Sequence, residues 1–125
     1  GGPCKVYAAP FAVNLFADDT TFVEPDLNVV CDEKKLSSRG CEGAPDLVVE
    51  IVSPSSRGMD YDTKQNLYRE AGVREYWIVD PSMRRTMVTR FAEDPAPMMY
   101  PFEEPIPVGI YPGLAISLDE IVKGA

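Results

Sequence analysis

Apolar and polar positions alternate along much of this chain, and the alternation predicts a β-rich fold with a short helix. Val6 to Phe16 reads VYAAPFAVNLF, with Tyr7, Ala9, Phe11, Val13 and Leu15 on one side. This is a strand pattern, with Pro10 at an edge or bulge. Thr21 to Cys31 (TFVEPDLNVVC) reads as a second strand, and the polar run Asp32 to Ala44 as a loop. Asp46 to Ser53 (DLVVEIVS) is nearly continuous in apolar residues, as expected of a strand buried on both faces. Pro54 to Gly58 reads as a loop, and a helix is predicted from Asp60 or Tyr61 to Ala71, ended by Gly72. Strands follow at Glu75 to Asp80 and Arg85 to Phe91. Prolines crowd Glu93 to Pro112, which predicts an extended, irregular stretch with room for one β-excursion. A short strand at Leu114 to Ile116 and a helical turn at Leu118 to Val122 complete the reading.

The fold class is therefore α+β, a mixed sheet with a flanking helix. One helix of about three turns cannot cover both faces of a five-stranded sheet. A missing N-terminal segment or the partner of a homodimer is expected to cover the second face. The chain begins Gly1-Gly2-Pro3 without methionine, which fits processing or an absent upstream segment.

Face assignment brings acids together. Side chains on a strand alternate with period two. Glu24, Asp26 and Asn28 share one face of the second strand, and Asp46, Val48 and Glu50 share one face of the third. If those strands are antiparallel neighbours with matched faces, Glu24, Asp26, Asp46 and Glu50 converge. An acid in the middle of VVEIV is costly to bury without a partner. Several carboxylates in one small volume repel unless a cation or a proton neutralises them. A hard divalent ion held by carboxylates and water answers that need. On the helix, Tyr61, Lys64, Tyr68 and Ala71 form a stripe, so Lys64 can bury its methylenes and send its ammonium toward the acids.

Composition narrows the chemistry. The 125 residues are enough for one domain, and no run of about 18 apolar residues predicts a membrane span. No secretory signal is visible, so a cytoplasmic protein is expected. The chain has no histidine, which removes Ser-His-Asp and Cys-His catalysis and leaves carboxylates, lysine, tyrosine or a metal. Three widely spaced cysteines (Cys4, Cys31 and Cys41) read as reduced thiols, without zinc-site spacing. The net charge of −8 argues against binding nucleic acid by bulk electrostatics, although acids that hold cations contribute to that count.

Three segments are similar to one known family. EPD at Glu24 to Asp26, GAPDLVVEIVSPSS at Gly43 to Ser56 and DTKQNLYREAGVREYWIVDP at Asp62 to Pro81 resemble the bacterial Uma family of the PD-(D/E)XK nuclease superfamily. The resemblance runs from about Val6 to Asp94 and returns at Pro112 to Ile121. It implies a restriction-endonuclease-like fold and an Mg2+-dependent endonuclease, with Mn2+ as a substitute, that hydrolyses phosphodiester bonds, DNA being the expected substrate. The superfamily's two metal-binding acids map onto Asp26 and Glu50. Its lysine normally lies two residues after the second acid, where this chain has Val52, so the lysine role passes to Lys64. Asp46 is a candidate either for a second metal or for a hydrogen-bonding support behind the metal ligands. Family members carry an N-terminal helical and hairpin segment that this chain lacks. Ser53 and Ser55 read as loop-capping residues, and Tyr76 and Trp77 as core and edge residues rather than base-stacking groups. Two competing readings remain: an inactive nuclease fold serving as a binding module, and an oligomerisation domain whose acids pair with Arg39, Arg57 or Arg69.

Overall fold

The computed structural model describes residues 4–53 and 61–119, except the side chains of residues 61, 62, 94 and 95. In chain order the elements are β1 (Lys5–Ala8), β2 (Val13–Asn14), β3 (Phe22–Val23), β4 (Leu27–Val30), a 3-10 turn (Glu33–Lys35), β5 (Leu36–Ser37), β6 (Gly40–Glu42), β7 (Leu47–Ile51), α1 (Tyr61–Ala71), β8 (Glu75–Asp80), β9 (Arg85–Arg90), β10 (Asp94–Pro101), β11 (Ile106–Pro107) and β12 (Ala115–Ile116). A six-stranded sheet has the order β1-β4-β7-β8-β9-β10. Within it β7 and β8 run parallel, and the other neighbours are antiparallel. Two parallel neighbours need a crossover, and α1 lies in that connection.

The strongest sequence patterns form where they are expected. The apolar run of β7 lies in the sheet interior, with Leu47, Val48 and Val49 all buried. Helix α1 ends at Ala71 because Gly72 takes a φ of +98°, a region that favours glycine. The Val73 N–H then donates to the Tyr68 carbonyl at 3.0 Å and the Gly72 N–H to the Arg69 carbonyl at 3.2 Å. This is a Schellman cap, closed by contact between two buried residues, Val73 and Tyr68.

The N-terminal half differs from the pattern. VYAAPFAVNLF is not one strand: it divides into β1 and β2, which belong to different sheets. TFVEPDLNVVC divides likewise into β3 and β4. Each break falls beside a proline, Pro10 or Pro25, which has no N–H to donate to a ladder. The run Asp32 to Ala44 is not a plain loop, because β5 and β6 pair there and join β2 and β3 in a four-stranded sheet of order β3-β2-β6-β5. Gly40 is essential to that sheet. A Cβ on it would stand 2.1 Å from the Ala12 carbonyl oxygen, which accepts the Cys41 N–H at 3.0 Å.

The proline-rich stretch is more regular than expected. Its first part is the eight-residue strand β10, whose prolines are tolerated because it lies at the sheet edge. Its later part closes the second face of the sheet. Phe102, Ile106 and Val108 pack against Leu47, Val49, Trp77, Val79 and Val88, with Ile110, Ile116 and Leu118 alongside. Over these strands the cover comes from the chain itself, where the strand count predicts a partner or an upstream segment. The opposite face carries Val48 and Tyr76, packed with Tyr68 of α1, with Val73 just after it, with Val13 and Cys41 of the small sheet and with Leu15 beside β2.

The cysteines also depart from expectation. Cys4 and Cys31 form a disulfide, and Cys41 is free and buried. The physical reason is register. Lys5 pairs with Val30 across β1 and β4, so the next step outward sets Cys4 against Cys31. Their separation of 27 residues carries no such information by itself.

Candidate active site

The acid pair is built by strand register. Antiparallel β4 and β7 match Asn28 with Val48 and Leu27 with Val49. One step further along, Asp26 falls opposite Glu50, on the face that α1 covers. Asp26 lies at the mouth of the ladder and is exposed. Its Oδ2 accepts the Ile51 N–H at 2.7 Å, so the side chain is tied to the backbone beside Glu50.

Glu50 is mostly buried, with its side chain 14% exposed. Its Oε1 accepts from Lys64 Nζ at 2.9 Å and its Oε2 from the Tyr76 hydroxyl at 2.6 Å. Lys64 belongs to α1, and its side chain is 40% exposed. Tyr76 belongs to β8. Val48 pairs with Tyr76 and Glu50 with Ile78, so Tyr76 reaches Glu50 diagonally on the same face. The Tyr76 ring meets that of Tyr68 edge-on, with centroids 4.8 Å apart. Tyr68 is fully buried, and its hydroxyl has no hydrogen-bond partner among the described residues. Burial pushes this phenol well above its usual range, and the charge of Glu50 adds to the effect. On the same helix, the buried Gln65 donates to the Thr89 hydroxyl at 3.1 Å and fixes α1 against β9.

The donor chemistry suits a hard divalent ion. Both acids offer only oxygen, and a carboxylate has about four lone-pair sites, so the two bonds on Glu50 leave acceptor capacity. Among the described residues no three of His, Cys, Asp and Glu are grouped to hold a metal. Asp26 and Glu50 would need water and substrate oxygens to complete the shell, which is how Mg2+ is commonly bound.

The other expected acids are placed elsewhere. Asp46 is not brought to the pair. It lies four residues back along β7, about 13 Å at the usual rise of a strand. There its Oδ1 accepts the Cys31 N–H at 3.4 Å and its Oδ2 stands 3.5 Å from Arg74 Nη1. Glu24 is exposed ahead of Pro25. Of the four acids expected to converge, Asp26 and Glu50 are left at facing positions of adjacent chain segments. Ser53 lies just past β7, and Ser55 and Arg57 fall outside the described residues. Arg39 pairs with Asp19 and Glu42. Arg69 bonds Asn66 and stands over the Phe91 ring. Neither arginine touches Asp26 or Glu50, which counts against an acid-arginine network at this place.

Two features escaped the sequence reading. Tyr76 is a core residue as expected, but its hydroxyl belongs to the acid site. Glu75 is 1% exposed and accepts from Trp77 Nε1 at 2.6 Å and from the Ile110 N–H at 3.1 Å, with Arg90 Nε at 3.8 Å. The signal was available, since Glu75 opens the apolar strand EYWIVD much as Glu50 interrupts VVEIV.

Among solved structures, the chain is similar to one titled as a putative nuclease belonging to DUF820 from Anabaena variabilis, with a TM-score of 0.72 and 16% identity, covering 97% of this chain and 69% of that one. At that identity the likeness shows the fold, and it agrees with the restriction-endonuclease-like class. No curated protein matches. The model of the Uma2 family, described as "Putative restriction endonuclease", matches residues 1–118, a span that contains both acids, Lys64 and Tyr76, and the chain belongs to that family.

Proposed function

We propose that this protein is a metal-dependent endonuclease acting on DNA, with Mg2+ held by Asp26 and Glu50 and Lys64 beside the scissile phosphate. The observation that carries the reading is the placement of an exposed aspartate opposite a mostly buried glutamate, with Lys64 Nζ 2.9 Å from that glutamate. A bound divalent ion would supply Lewis-acid stabilisation of the phosphate and a more acidic attacking water. Asp26 and Glu50 would hold that ion and balance part of its charge. Lys64 is oriented by Glu50, and the N–H groups of its ammonium not bonded to that carboxylate would donate to the attacking water or to a phosphate oxygen as charge builds. Asp46, committed to Arg74 and the Cys31 N–H, is left out of the proposed ligand set. No helix among the described residues is long and apolar enough to cross a membrane.

The net charge of −8 favours the competing reading, a catalytically inactive binding module. Titration of Mg2+ and of Mn2+ into wild type, Asp26→Ala and Glu50→Ala, with DNA and RNA cleavage assayed on the same samples, separates the two. The nuclease reading expects binding and cleavage in wild type and loss of both in each variant. A folded wild type that binds neither ion at millimolar concentration would sink it.

A further inference from the structure

Among the described residues Glu50 has two side-chain partners of different mechanical character. Lys64 reaches it on a flexible four-carbon stem from a helix and is 40% exposed. Tyr76 is 2% exposed and sits in the middle of the sheet, with β8 paired to β7 on one side and to β9 on the other. Its ring is further confined by Tyr68. The 2.6 Å contact from the Tyr76 hydroxyl to Glu50 Oε2 lies in the range of a charge-assisted O–H···O⁻ bond.

We propose that Tyr76 is a positioning residue that holds the Glu50 carboxylate in the orientation needed to bind a divalent cation, an inference that rests on the metal-dependent reading above. A glutamate side chain has three torsions, and the lysine contact alone leaves the carboxylate free to turn about its last two. A second bond, to the other oxygen and from a rigid donor, stops that rotation. The acceptor sites left over then keep one direction. The tyrosine acts through Glu50 and needs no contact with substrate.

The test is Tyr76→Phe, which keeps the ring and removes only the hydroxyl. Three measurements apply to wild type and variant: side-chain order of Glu50 by carbon relaxation, affinity for Mn2+ alone by calorimetry, and kcat and KM on DNA. The expected result is a cooperative fold, lower Glu50 order, Mn2+ affinity about 10-fold weaker and a lower kcat at unchanged KM, as when groups that orient metal ligands are removed. In a Glu50→Gln background the same substitution is expected to change Mn2+ affinity no further. Equal Glu50 order in the two proteins would overturn the proposal whatever the metal does. Lower order with unchanged Mn2+ affinity would overturn it too. Lower order in a protein whose wild type binds no Mn2+ would uphold the tyrosine's hold on Glu50 and sink the nuclease reading instead.

Discussion

Lys64 Nζ stands 2.9 Å from Glu50 Oε1, although the two are 14 residues apart and on different elements. The relationship transfers a cation from the helix to a strand that has no lysine of its own near the acid. Lys64→Met is expected to lower the cleavage rate about 100-fold, the usual effect of removing one donor to a developing negative charge. Stability should fall by only about 1 kcal/mol, because the lysine is partly solvated and Tyr76 still bonds the carboxylate. Single-turnover cleavage and urea denaturation of the same variant check both halves. A wild-type rate would remove Lys64 from the chemistry.

Glu75 anchors the C-terminal cover to the sheet. It accepts from the Ile110 N–H, and a Cβ at Gly109 would stand 2.6 Å from its Oε1, so the cover passes very close. Glu75→Ala is expected to destabilise the protein by about 3 kcal/mol, since it leaves Arg90 and two N–H donors without their shared acceptor. Glu75→Gln keeps a carbonyl oxygen and should cost less. Limited proteolysis should cut the segment from 102 to 118 first in the alanine variant. Cutting elsewhere first would mean that Glu75 does not hold this segment.

Tyr68 presents the opposite case, a buried hydroxyl without a partner among the described residues. Tyr68→Phe removes a polar group that had been desolvated with no bond in return, and is expected to raise stability by up to about 1 kcal/mol. Chemical denaturation measures it. A loss of stability would show that the hydroxyl is satisfied.

Cys41 predicts a pH dependence. Its thiol is pushed up to about 11 from an ordinary 9.0, chiefly by burial, with Lys35 opposing. The folded form therefore keeps the proton over a range where the unfolded chain gives it up. The resulting stabilisation is complete below about pH 9 and is lost as pH rises toward about 11. Cys41→Ala should show a shallower loss of stability across that window, read from denaturation midpoints. The same burial should leave wild-type Cys41 slow to alkylate at pH 8. An identical pH slope in the variant would refute the assignment.

The sequence by itself determined the elements whose signals are local. The apolar run of β7, the alternation of β8 and the glycine that ends α1 each state their structure within a few residues. The face shared by Asp26 and Glu50 also followed from period two and an antiparallel pairing. What only the tertiary structure decided depended on partners distant in the chain. Register set Cys4 against Cys31 and Asp26 opposite Glu50, and no local pattern encodes which residue lies opposite which. The small sheet of β2, β3, β5 and β6 is made of strands of two or three residues, too short for periodicity to register. The proline-rich tail shows no period, yet Phe102, Ile106 and Val108 find a sheet face that was already apolar. Tyr76 is legible in the sequence as a core residue, but its hydroxyl gains a role only when parallel pairing brings β8 beside β7, because a hydrogen bond needs two groups in place and the sequence names one at a time.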